Sequence, residues 1–147
     1  MCLFTKHETP EVALMKLPVY KILILYRGGR DEEGNQLYSY TAPFNNYTYQ
    51  KGLNYPIRLS SEDWYYNPKD AIKLKDKEIT YSVDVGWLHA FTDEMYAYRV
   101  CDCLKKEHMF VNYVVVKMYI PENAKYFLST DNKEVCADCL EWNPKYE

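Results

Sequence analysis

No apolar run in this chain approaches 18 residues, so its sequence offers no membrane-spanning helix. Its first residues, Met1-Cys2-Leu3-Phe4-Thr5-Lys6-His7-Glu8, lack the basic-then-apolar pattern of a secretory signal, as expected of a cytoplasmic protein. Basic charge is scarce as well. Eighteen Lys and Arg stand against 21 Asp and Glu, giving a net charge of −3. A nucleic-acid binder needs a basic stripe, which this balance argues against. The local basic groups, Lys69, Lys73, Lys75, Lys77 and Lys105-Lys106, are interleaved with or followed by acids and read as solvated faces. Gly28-Gly29 follows a strand-like run but lacks the downstream Gly, Lys and Ser/Thr of a phosphate loop. There is no G-x-S-x-G elbow, no internal repeat and no low-complexity segment.

What the chain does have is tyrosine: 16 Tyr against 5 Phe and 3 Trp in 147 residues. A Tyr ring is large and apolar, yet its hydroxyl wants a partner or water, which suits half-exposed sheet faces. Tyr is also enriched where proteins recognise partners. The length predicts a single domain, 1–147, with a polar leader at about 1–17. Such a chain buries enough surface for a core without staples.

Local patterns predict an α+β fold: a mostly antiparallel, twisted sheet, open to being split, with one main helix. The apolar run Val19–Arg27 reads as a central strand, and Gly28–Asn35 as a turn. Gln36–Thr41 alternates as a half-buried strand. Short strand pieces are expected near Tyr47–Gln50 and Pro56–Leu59, with helical turns in the 60–75 region. Lys77–Val83, Gly86–Phe91, Val111–Ile120, Lys125–Leu128 and Lys133–Trp142 complete the strands. The helix is expected over about 92–106. Thr92 fits its N-cap, Asp93 and Glu94 its first turn, and Lys105-Lys106 its last. Ala97, Val100, Cys101 and Leu104 form its apolar stripe.

Five cysteines are present, and four of them (Cys101, Cys103, Cys136 and Cys139) have the number for a zinc site. Geometry opposes convergence: C-x-C on a helix points its thiols about 200° apart. C-x-x-C on a strand points them to opposite faces. The expectation is therefore no metal, with a zinc-bound module as an alternative. His89 is the one histidine in a strand context, and histidine suits acid–base work near neutral pH. Its candidate partners are Glu134, Asp84 and Tyr20.

Short motifs spread over the chain resemble a family of uncharacterised small proteins of bacteroidete-type bacteria and their phages. They are Met1-Cys2-Leu3, Val19-Tyr20-Lys21, Ala42-Pro43-Phe44, Tyr49-x-x-Gly52-x-x-Tyr55, Gly86-x-x-His89-Ala90-Phe91 and Ile120-Pro121-x-x-Ala124-x-Tyr126. The resemblance implies a phage or prophage accessory protein. With the Tyr excess, the expected function is non-catalytic binding of a protein partner through a Tyr-rich face, with no cofactor and no nucleic-acid or membrane partner. A weaker resemblance is to the ADP-ribosyltransferase fold. Leu25-Tyr26-Arg27-Gly28, then His89-Ala90-Phe91-Thr92 with Asp93-Glu94, then Val114–Pro121, are similar to its successive elements. The Ser-Thr-Ser motif of that family is absent. The resemblance implies NAD as cofactor. Lys21 or Arg27 would hold its phosphate, Tyr20 would stack on nicotinamide, and Glu134 would serve as the catalytic acid alongside His89.

Overall fold

The computed structural model describes residues 3–5, 9–43, 47–56, 72–73, 79–83 and 87–144. Among the described residues sheet dominates, with a single helix of 14 residues. The architecture is the mostly antiparallel sheet with one helix that the patterns predict.

The frame is a strand pair. β3 (Leu17–Arg30) runs antiparallel to β10 (Tyr113–Ile120) over eight residues, from Leu17 opposite Ile120 to Ile24 opposite Tyr113. Both are rich in branched and aromatic residues, which pack well on a pleated surface. Alternate side chains point to opposite faces. Val19 and Leu23 of β3, with Val116, Met118 and Ile120 of β10, enter the main core. Ile22, Ile24, Tyr113 and Val115 face the other way, where the helix covers them.

Beyond β10 the sheet continues through β13 (Leu140–Trp142) to β6 (Gly52–Asn54). On the other side of β3 lie β9 (Leu88–Phe91), β12 (Glu134–Ala137), β11 (Lys125–Leu128) and β2 (Glu11–Val12), in that order. β4 (Gln36–Thr41) pairs with the far half of β3 and carries β5 (Thr48–Tyr49). A separate three-stranded sheet joins β1 (Leu3–Thr5), β8 (Ile79–Val83) and β7 (Ile72–Lys73). Leu3 packs with Trp87, Phe127 and Cys136 in a second cluster. The stretch read as a polar leader thus contributes two strands and the buried Leu3 and Ala13.

One feature of the topology governs the rest. β9 touches β3 at a single register pair, Tyr20 opposite Phe91. β4 joins the same edge of β3 only from Ile24 onward. Between them, at residues 21–23, that edge of β3 has no strand beside it among the described residues, and the sheet forks.

The helix α1 spans Glu94–Glu107 and lies over this region. Its N-cap is Asp93, not Thr92: the Asp93 carboxylate accepts from Tyr96 N at 3.2 Å. The Thr92 hydroxyl instead donates to the carbonyl of Asn132, tying the helix entry to the turn before β12. Asp outcompetes Thr here because its carboxylate complements the helix dipole. Ala97 and Cys101 are buried and Val100 and Leu104 half-buried, as the stripe requires.

Three other expectations change. β3 runs on through Gly28 and Gly29 to Arg30, so the turn shrinks to residues 31–35. The Gln36 amide explains this, donating to the carbonyls of Gly28 (2.7 Å), Gly29 (3.2 Å) and Leu37 (3.1 Å) and bridging the register shift. The single strand expected at Lys133–Trp142 is two, broken at Asp138-Cys139. Asp138 makes the break by clamping Lys125 twice: its carboxylate accepts from Lys125 N and its own N–H donates to Lys125 O, both at 3.0 Å. Within the 60–75 region, Ile72–Lys73 is strand rather than helical turn. The rest of that region and residues 57–59 lie outside the described residues, while Pro56 is not in a strand. No helix among the described residues is long and apolar enough to cross a membrane.

Candidate functional site

The fork in the sheet holds a cavity of about 40 Å³. Lys21 and Ile22 of β3, His89, Ala90 and Phe91 of β9, Glu134 of β12, Val100 and Leu104 of α1, and Pro43 after β4 line it. Three of the five residues singled out from sequence therefore meet at one place: Lys21, His89 and Glu134. The pairing accounts for it. Cys136 sits opposite His89 and Glu134 opposite Phe91, so His89 and Glu134 share a face as diagonal neighbours. Tyr20 shares that face, opposite Phe91, but does not line the cavity. Arg27 lies six residues up β3 from Lys21, about 20 Å along an extended strand, and is exposed.

Lys21 crosses the gap where a neighbouring strand would be. Its ammonium donates to the carbonyl of His89 and lies 5.6 Å from the centre of the Tyr49 ring. Among the described residues no carboxylate pairs with it. Burial lowers its pKa from 10.5 to about 8. His89 is more strongly affected: burial first, and the Lys21 charge second, lower its pKa to about 3. At neutral pH it is a neutral imidazole, and its buried Nε2 has no hydrogen-bond partner. A group this far from neutrality is a poor proton shuttle but a sound fixed hydrogen-bonding group. Glu134 is shifted upward by burial and then by Asp131. Ile22, Phe91, Val100 and Leu104 make the remaining wall apolar. Tyr49 is the contact that the sequence did not announce. Lys21 had a local signal, being a lone charge inside the apolar run Val19–Leu25.

The residues do not fit a dinucleotide held between Arg27 and Glu134. A cavity of about 40 Å³ has room for only about three water-sized spheres, and Arg27 is remote from it. The cysteines are dispersed. Cys101 packs with Ile22 and Tyr113, Cys136 with Trp87 and Phe127, and Cys139 in the main core, while Cys103 is exposed. Among the described residues no group of three or more His, Cys, Asp or Glu is placed to hold a metal ion.

A second feature is a surface. Past Leu25, β3 and β4 leave the sheet as a two-stranded arm. Residues 26–35 are all exposed, as are Leu37 and Tyr38. Tyr26 is 51% and Tyr38 49% exposed. Leu25 N donates to Asn112 O at 2.8 Å, which brings the turn after α1 to the base of the arm. That turn carries Met109 and the fully exposed Phe110. Asp31 organises the tip. One of its carboxylate oxygens accepts from Glu33 N (3.0 Å) and Asn35 N (2.8 Å), and the Asn35 hydrogen bonds hold its pKa below the usual range.

No protein-family model, no curated protein and no solved structure matches this chain.

Proposed function

We propose that this chain is a non-catalytic interaction module that docks a protein partner on the β3–β4 arm. Such a role agrees with the accessory proteins that its motifs resemble. The observation that carries the reading is the arm itself: a two-stranded ribbon beyond the sheet, exposed along its length and bearing Tyr26, Leu37 and Tyr38. An isolated two-stranded ribbon is marginal in water, and its open edges are templates for strand addition. The occupant is an extended segment that adds to an arm edge and covers alternate apolar side chains. Asp31, Glu32 and Glu33 at the tip favour a partner with basic residues flanking that segment. The neutral His89 beside the arm's root also speaks for binding over acid–base chemistry.

The test is site-specific photo-crosslinking, with benzoyl-phenylalanine at Tyr26, Tyr38 or Phe110 and, as control, at Glu122. Glu122 follows Ile120, which pairs with Leu17 at the opposite end of the β3–β10 ladder. Discrete adducts from the arm positions, absent from Glu122, are expected. An adduct of twice the chain's mass would identify a second copy as partner. Equal labelling from all four positions, or none, would overturn the proposal.

A further inference from the structure

We propose that the outward face of α1 pairs two copies of this chain, antiparallel and about the midpoint of the helix, through reciprocal Arg99–Asp102 ion pairs. This face is separate from the arm and stands or falls independently of it.

α1 buries one stripe and leaves another in solvent. Away from the buried Ala97 and Cys101 run Met95, Arg99, Asp102 and Lys106, all exposed. Their spacing of four, three and four residues sets them in one row along the helix. The row is self-complementary. The helix runs from Glu94 to Glu107, so Arg99 and Asp102 stand equally far on either side of its midpoint, and so do Met95 and Lys106. A two-fold axis through that midpoint, with the helices antiparallel, sets Arg99 against Asp102 of the second copy and Asp102 against its Arg99. The same axis lays the aliphatic stem of Lys106 on Met95 and leaves the ammonium in water. A parallel pair in register would oppose Arg99 to Arg99 and Asp102 to Asp102, which like-charge repulsion forbids.

Two further observations single this row out from an ordinary solvated face. Arg99 and Asp102 are close enough in sequence to pair with each other, yet among the described residues neither makes an ion pair or a hydrogen bond through its side chain. Both charges are therefore free to meet a second chain. The apolar side chains on this side of the helix are also large and uncovered, with Met95 66% and Tyr98 48% exposed. Met, Tyr and Arg are the residue types enriched at protein interfaces. Tyr98 and its two-fold mate flank the four charges on one side, where their rings exclude water from the pairs. A helix of 14 residues is about 21 Å long. Two of them side by side bury on the order of 1,000 Å² in total, which suits a weak, reversible dimer.

The experiment is sedimentation equilibrium of the full chain up to about 1 mM, in reducing buffer because Cys103 is exposed. A monomer–dimer equilibrium with Kd on the order of 100 µM is expected, weakening as salt is raised from about 50 to about 500 mM. Arg99→Asp and Asp102→Arg each replace two ion pairs with two like-charge contacts, and each should raise Kd at least about tenfold. The double substitution Arg99→Asp/Asp102→Arg exchanges the charges and should restore the natural Kd to within about threefold. Both positions are exposed, so all three variants should keep the natural circular dichroism spectrum. A chain that stays monomeric to about 1 mM would overturn the proposal, since an interface of this size should show association by then. So would a dimer that neither single reversal weakens, or a double substitution that dimerises no better than the single ones.

Discussion

His89 is a buried imidazole whose charged form is opposed twice, by lost hydration and by the Lys21 ammonium. Folded, its pKa is about 3; unfolded, it returns to about 6.5. Between those values the unfolded chain holds a proton that the folded chain does not, so stability falls as pH drops from 6.5 toward 3. At pH 4 this one group accounts for at most about 3 kcal/mol. Glu134, shifted upward, acts with the opposite sign and trims the loss. Urea unfolding at pH 7 and pH 4 should show a smaller difference for His89→Gln than for the natural chain. An unchanged difference would mean that His89 titrates normally. Lys21 makes the complementary case at alkaline pH. Its folded pKa of about 8 lies below the ordinary 10.5, so the folded state releases a proton that the unfolded state keeps. Stability should therefore rise between pH 8 and 10.5, by at most about 3 kcal/mol. Lys21 is only partly buried, which makes the measured gain smaller. Lys21→Met should stabilise the chain at pH 7 by about 1–3 kcal/mol, and its advantage should shrink at pH 10.

Among the elements, α1 roofs the cavity, and its start depends on one carboxylate. Asp93→Ala removes the acceptor for Tyr96 N and should cost about 1 kcal/mol in a denaturant titration, while Asp93→Ser should restore most of it. Amide exchange at Val100 and Leu104 should quicken in Asp93→Ala, because both residues close the cavity from the helix side. This helix was legible in the sequence because three signals agreed: stripe, acidic start and basic end. β3 and β10 were legible as long apolar runs whose burial needs no detail of tertiary structure. The errors arise where a side chain acts on backbone far away in sequence. The Asp138 clamp on Lys125 splits β12 from β13 although the apolar pattern runs through. The Gln36 amide holds Gly28 and Gly29 in a strand although their composition suggests a turn. The site was partly legible for the same reason. His89 and Glu134 could be singled out as chemistry-bearing residues, but their meeting with Lys21 depends on strand order and on where β9 and β4 diverge. Neither is written in local periodicity.

At the scale of the whole molecule, the core and the arm divide the chain's work. Every buried residue of the main cluster lies outside 26–38, so the arm contributes nothing to the core. Tyr26 and Ser39 are direct partners across β3 and β4. A chain in which residues 27–38 are replaced by Asn-Gly should therefore close as a two-residue hairpin without disturbing the ladders beneath. Its thermal midpoint should shift by no more than about 4 °C, since roughly 1 kcal/mol moves a domain of this size that far. Its photo-crosslinks from Tyr26 and Phe110 should vanish, because the edges that admit a partner are gone. A midpoint lowered by tens of degrees would show instead that the arm is structural, and the exposure of its tyrosines would then need a different explanation.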